Sequence, residues 1–119
     1  MNDKRIKRSA VAFPDTNLEV AIRKNINKPQ GLIYTSDLEP LTGLDLEVSN
    51  ISDISALSGL TNLQWLGLLE NNISDIEPLF DNAGLAGGDI VNLENNPLSP
   101  ESINSYIPQL EARGVTVHY

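Results

Sequence analysis

The stretch from Leu60 to Leu79, LTNLQWLGLLENNISDIEPL, decides how this 119-residue chain is read. Within it, Leu63, Leu66, Leu68, Ile73, Asp75, Ile76 and Leu79 match Leu41, Leu44, Leu46, Ile51, Asp53, Ile54 and Leu57 at a constant spacing of 22. The shared pattern is L-x-x-L-x-L-x-x-N-x-I-x-D-I-x-x-L, with Asn71 at the asparagine position and Ser49 in its place one copy earlier. A partial third copy follows at a spacing of 25, where Val91, Leu93, Asn96 and Leu98 match Leu66, Leu68, Asn71 and Ile73. Fixed-period self-similarity of this length is the signature of a solenoid.

The spacing dictates the local geometry. Two leucines at period two define a short strand with its apolar face inward. The asparagine then turns the chain, and its amide can bond backbone groups that the bend leaves unpaired. The I-x-D-I-x-x-L segment returns along the outer side with its apolar residues pointing into the same core. Asp53 and Asp75 each follow a serine, an arrangement suited to capping a short helical turn. No coil covers its own leucines, so stacking and end caps are obligatory.

Both caps can be read. Residues 14–28 predict an amphipathic helix opened by Pro14 and Asp15, with Leu18, Ala21, Ile22 and Ile26 on one face and Pro29-Gln30-Gly31 at its end. Ser36 is placed to cap a short turn carrying Leu38 and Leu41. At the other end Ser99 and Pro100 open a helix with Ile103, Tyr106, Ile107 and Leu110 as its stripe. Pro108 should kink or divide it, and Gly114 should stop it. Val115 to Tyr119 alternates like an edge strand and is expected to cover the exposed end of the sheet. The expected organisation is a basic flexible segment over 1–12 and one domain over 13–119: an N-terminal cap (13–40), about three repeats (41–98) and a C-terminal cap (99–119).

These features resemble bacterial leucine-rich repeats of the internalin type. Residues 60–79 follow that family's 22-residue unit almost throughout. The opening FPDTNLEVAIR (13–23) and YTSDL (34–38) are similar to the N-terminal cap of related bacterial proteins, and NNPLSPESINSYIPQLEARGVTV (95–117) is similar to a C-terminal closure. The resemblance covers roughly residues 13–117. It implies an α/β architecture: a short right-handed leucine-rich repeat solenoid with a parallel concave sheet and helical caps at both ends, used to bind other macromolecules. It also implies a secreted or cell-surface protein, although no apolar signal core follows the basic start. The departures are the small number of repeats and the glycines Gly84, Gly87 and Gly88 where a regular coil belongs. Host-cell adhesion is therefore not carried over.

Composition sets the limits. A chain of this length makes one domain that buries roughly 65% of its unfolded surface. It is 40% hydrophobic and only 5% aromatic, so its core is aliphatic. It has no cysteine, which excludes disulfides, thiolate metal sites and cysteine nucleophiles. The net charge is −8, and Lys4, Arg5, Lys7 and Arg8 supply four of its eight basic residues. From Pro29 to Ala112 there is no Lys or Arg against thirteen Asp and Glu. Such a body offers phosphates nothing, so nucleic acid and anionic lipid are poor partners, and no apolar run is long enough to enter a membrane.

By register, Gly43, Asp45, Glu47, Trp65, Gly67, Leu69, Ile90, Asn92 and Glu94 point out of the concave face. Trp65, Leu69 and Ile90 are large and apolar there, with Asp45, Glu47, Glu70 and Glu94 around them. An apolar centre with a charged rim is the pattern of a protein interface. Local packing of Trp65 and Ile90 against the C-terminal segment or a neighbouring coil is the competing explanation. The expected partner-binding set is Trp65, Leu69, Ile90, Asp45, Glu47, Asn92 and Glu94, and the expected partner is a protein, mixed or basic in charge. The alternative is a homodimer that uses the same patch as an assembly unit.

No catalytic, cofactor or metal set emerges. His118 is the sole histidine, with no serine or carboxylate tied to it by pattern. Gly84-Leu85-Ala86-Gly87-Gly88 lacks the lysine of a phosphate loop and reads as accommodation of an irregular last coil. Asp53 and Asp75 stack one coil apart, which fits calcium ligation less well than capping. Asn50-Ile51-Ser52 and Asn72-Ile73-Ser74 match a glycosylation acceptor, but the repeat itself dictates those residues.

Overall fold

A computed structural model describes residues 9–119. Helix α1 (Thr16–Ile26) and the short α2 (Thr35–Leu38) precede strand β1 (Gly43–Asp45). A 3₁₀ turn (Ser55–Gly59) leads to β2 (Trp65–Gly67), and α3 (Glu77–Asp81) leads to β3 (Ile90–Asn92). A π-helical turn (Ser102–Tyr106) runs into α4 (Ile107–Ala112) and then β4 (Thr116–His118). The four strands form one parallel sheet in sequence order. This is a short leucine-rich repeat solenoid. Among the described residues no helix is long and apolar enough to cross a membrane.

The core is the repeat pattern made physical. Inward Leu44, Leu46, Leu66, Leu68, Val91, Leu93 and Val117 meet Ile51, Ile54, Leu57, Ile73, Ile76 and Leu79 returning on the outer side, all at most 8% exposed. Between them runs the asparagine ladder. Asn71 Nδ2 donates to the carbonyls of Leu46 and Leu68, and its Oδ1 accepts from the N–H groups of Ser49 and Ile51. Asn96 repeats this one coil on, donating to Leu68 and Leu93 and accepting from Ile73. Each amide satisfies turns on two coils at once, which matters because buried backbone groups are costly to leave unpaired.

The longer third coil carries a tightly packed turn. Asn82, fully buried, bonds Leu57 and Leu60 carbonyls and the Gly84 N–H. Gly84 lies so close to the Thr61 backbone that no Cβ fits there.

At the N-terminal end Asp15 caps α1, its Oδ1 accepting from Asn17 and Leu18 N–H. Its Oδ2 reaches the first coil and accepts from Ser52 and Asp53 N–H at 2.7 and 3.0 Å. Ser36 lies inside α2 instead of capping it; the Asp37 carboxylate accepts from Tyr34 N–H and closes that turn. The basic residues of the segment drawn as 1–12 lie outside the described residues. Ala10 and Val11 belong to the cap, since Ala10 bridges Tyr34 and Val11 N–H donates to Ile33.

At the C-terminal end Ser99 Oγ accepts from Ser102 N–H, opening the helix. Pro108 has no N–H to give, and the π-helical turn takes up the irregularity directly before it, Ile107 N–H bonding Ser102 C=O. Gly114, at φ +93°, ends α4, with Val115 N–H bonding Leu110 and Gly114 N–H bonding Glu111. The last strand pairs in parallel with β3 as the edge strand of the sheet, covering the end of the repeat stack as its alternation predicts.

Candidate functional site

The outward rows of the sheet follow from its register. Gly43, Trp65, Ile90 and Thr116 form the first row, and Asp45, Gly67, Asn92 and His118 the second. The ladder continues past the strands, with Val48 N–H bonding Leu69 C=O and Glu70 N–H bonding Glu94 C=O, so Glu47, Leu69 and Glu94 make a third row. All seven residues singled out from the sequence therefore share one face. Thr116 and His118 were missing from that set. The terminal alternation located their strand but gave no indication that it would join in parallel register.

Trp65 is 40% exposed and Ile90 38%, side by side, while Leu69 is half-buried beside the covered Gly67. The indole lies over Gly67 of its own strand and Gly43 of the neighbouring coil, so part of it is packed locally. A Cβ on Gly67 would lie 2.9 Å from its Cη2 and 3.1 Å from its Cζ2, and a Cβ on Gly43 would lie 3.5 Å from its Cε3. Two missing side chains thus form a bed on which the ring lies. Comparing rows would have shown this, because Gly67 occupies the position held by Asp45 and Asn92 on adjacent strands.

The rim is acidic. Asp45 Oδ1 accepts from Glu47 N–H, and Asn92 Oδ1 accepts from Glu94 N–H, so each short side chain stiffens the exit of its own strand. The backbone N–H and C=O of Asp45 are taken by Asn25 of α1, which closes the free edge of β1. Between α1 and this edge lies an open groove of about 410 Å³ that includes Val20, Lys24, Asp45, Glu47 and Val48. Among the described residues the ion pairs are Arg23–Glu19 and Lys28–Asp37, neither on the sheet.

Other polar groups have structural bonds. Asp53 and Asp75 accept from the N–H groups of Ser55 and Glu77, each capping its own turn. No group of three His, Asp or Glu side chains is placed to hold a metal among the described residues. Tyr106 packs on Phe80 at 5.2 Å, and its hydroxyl donates to Glu77. That bond, aided by partial desolvation and the charge of Glu101, raises the phenol above its ordinary 10.0.

Four parallel strands, coil-to-coil asparagines and helical caps define a capped leucine-rich repeat protein with an open sheet face. No family model and no curated protein sequence matches the chain. Solved structures do. Internalin C2 of Listeria monocytogenes superposes with a TM-score of 0.71 at 24% identity, over 89% of this chain and 46% of that one. The functional domain of InlJ from the same organism gives 0.64 at 26%, over 77% and 20%. A Clostridium perfringens ZmpB structure containing CBM51-2 and INT domains gives 0.58 at 27%, over 71% and 19%. The fold is the internalin-type leucine-rich repeat fold. The chain spans less than half the length of each of these proteins.

Proposed function

We propose that the chain is a non-enzymatic protein-binding module that docks its partner on the concave face. Trp65 and Ile90 form the contact centre, Leu69 borders it, and Asp45, Glu47, Asn92 and Glu94 form the rim. One observation carries the reading: two large apolar side chains stand next to each other, more than a third exposed, on a sheet whose inward residues are almost wholly covered. Burying such a pair is the usual anchor of an interface, and a polar rim around it favours specificity. The likeness to internalin-type repeats supports the same reading and favours a secreted or cell-surface setting.

Trp65→Glu and Ile90→Glu should each abolish retention of partner proteins on immobilised domain while leaving the melting temperature within a few degrees. Ile103→Glu, on the outer helix, is the control and should retain the partner. Unchanged retention by Trp65→Glu sinks the proposal. Light scattering across a concentration range tells whether the occupant is a second copy: a mass that doubles, and halves again in Trp65→Glu, assigns the patch to a homodimer.

A further inference from the structure

The geometry points to a subsite for a guanidinium group, the side chain of an arginine on the partner, formed by the Trp65 ring and the Glu47 carboxylate. This inference rests on the concave-face reading and specifies what its centre takes. The indole packs over Gly67 and is 40% exposed, so part of the ring is open to solvent. A Cβ on Gly67 would be 3.6 Å from Glu47 Oε1 and 2.9 Å from indole Cη2, so the carboxylate and the ring both flank Gly67. A planar cation can stack on the exposed part of the ring while its N–H groups reach the carboxylate that shares Gly67 with it. Guanidinium meets both requirements, whereas an ammonium lacks the plane.

The protein leaves this pairing unfilled from within. Glu47 has no hydrogen-bond or ion-pair partner for its side chain among the described residues. Lys24 borders the groove beside it without forming an ion pair. Elsewhere the fold supplies its own cations to aromatic rings: Arg113 Cζ lies 4.9 Å from the Phe80 ring, and Lys28 Nζ 5.2 Å from that of Tyr34. The Trp65 ring and its carboxylate have the same needs with an open side, and no Lys or Arg occurs between Pro29 and Ala112 to meet them. Charge complementarity therefore selects the occupant.

Trp65 is the only tryptophan, so its fluorescence reports on this site alone. Three synthetic peptides serve as probes: acetyl-Gly-Arg-Gly-Arg-Gly-Arg-Gly-amide, the same peptide with citrulline for arginine, and one with leucine for arginine. The arginine peptide should shift Trp65 emission saturably at low salt, and the citrulline peptide should bind at least about tenfold more weakly, since it keeps the shape and loses the charge. Glu47→Gln should weaken the arginine peptide about three- to tenfold, with little change for the leucine peptide. Equal binding of arginine and citrulline peptides, or equal arginine binding by Glu47→Gln and wild type, overturns the subsite. A saturable response to leucine alone overturns it too but leaves the apolar concave reading standing. No response to any of the three counts against both.

Discussion

The two ends of the stack solve one problem with different chemistry. Each cap must fasten to the turn that follows the asparagine position of a neighbouring coil (Ser49 in the first, Asn71 in the second), and the two turns are related by the 22-residue repeat. At the N-terminal end the Asp15 carboxylate accepts from Ser52 and Asp53 N–H. At the C-terminal end the Ser102 hydroxyl donates to Ser74 C=O at 2.7 Å and accepts from Ile76 N–H at 3.1 Å. The first clasp is a charge receiving four N–H groups, and the second is neutral and fully buried. The sheet edges differ likewise: Asn25 closes β1 with one side chain, whereas β4 is an added strand with its far edge open. A carboxylate suits the half-buried N-terminal junction, where water still screens it. At a site as buried as Ser102, an ion would carry a large desolvation cost.

The largest effect is expected where backbone, not side chain, makes the junction. Gly114 holds φ +93°, and a Cβ there would lie 2.7 Å from Gly87 Cα. Gly114→Ala should destabilise the fold by about 2–4 kcal/mol, because conformational strain and a backbone clash add. Hydrogen exchange should show protection lost in β4 well before β1. A loss under about 1 kcal/mol, or one spread evenly over both ends, would show that the C-terminal junction adapts.

The charged clasp makes its end sensitive to acid. Burial pushes the Asp15 carboxyl up, but N–H bonds from Asp53, Ser52, Leu18 and Asn17 outweigh it and hold the group below its ordinary 3.8. With the folded value below the unfolded one, its contribution is complete above about pH 3.8 and disappears as pH falls through the folded value. Asp15→Ala should cost about 1–2 kcal/mol at pH 7, the range of a lost helix cap. The gap between variant and wild type should narrow as the carboxyl is protonated, in paired melts at pH 7 and in acid. Ser102→Ala should show a gap that does not change with pH; if its gap narrows in the same way, the contrast between the ends is wrong.

Legibility in the sequence followed the range of each interaction. The strands, α1, the Ser99 cap, the Gly114 stop and the turning role of Asn71 follow from patterns within one coil, and the structure contains them. The seven concave residues were placed on one face because a two-residue period fixes orientation once the coils are aligned. What escaped depends on a partner far along the chain. Asp15 lies 37 residues from Ser52 and reads locally only as a helix cap. Asn25 and Asp45 are 20 apart with no motif linking them. The bed beneath Trp65 needs glycines on two strands, and each looks ordinary alone. The placement of His118 beside Asn92 depends on the closing turn aligning β4 in parallel register.

The smallest effect has the opposite sign, and it concerns a turn that recurs at both ends. Val48, Glu70 and Asn95 occupy the same place in successive coils, and all are left-handed, with φ of 49°, 54° and 61°. Asparagine tolerates this conformation, whereas a β-branched residue is strained in it. Val48 is also 69% exposed, so little packing offsets the strain. Val48→Asn copies the C-terminal solution into the N-terminal coil and should stabilise the protein by about 1 kcal/mol, a rise of a few degrees in melting temperature. An unchanged or lower melting temperature would mean that the valine's contact with the α1 groove offsets the backbone cost. If stability rises while partner retention falls, Val48 belongs to the docking surface, and the N-terminal end keeps a strained residue for binding where the C-terminal end has a relaxed one.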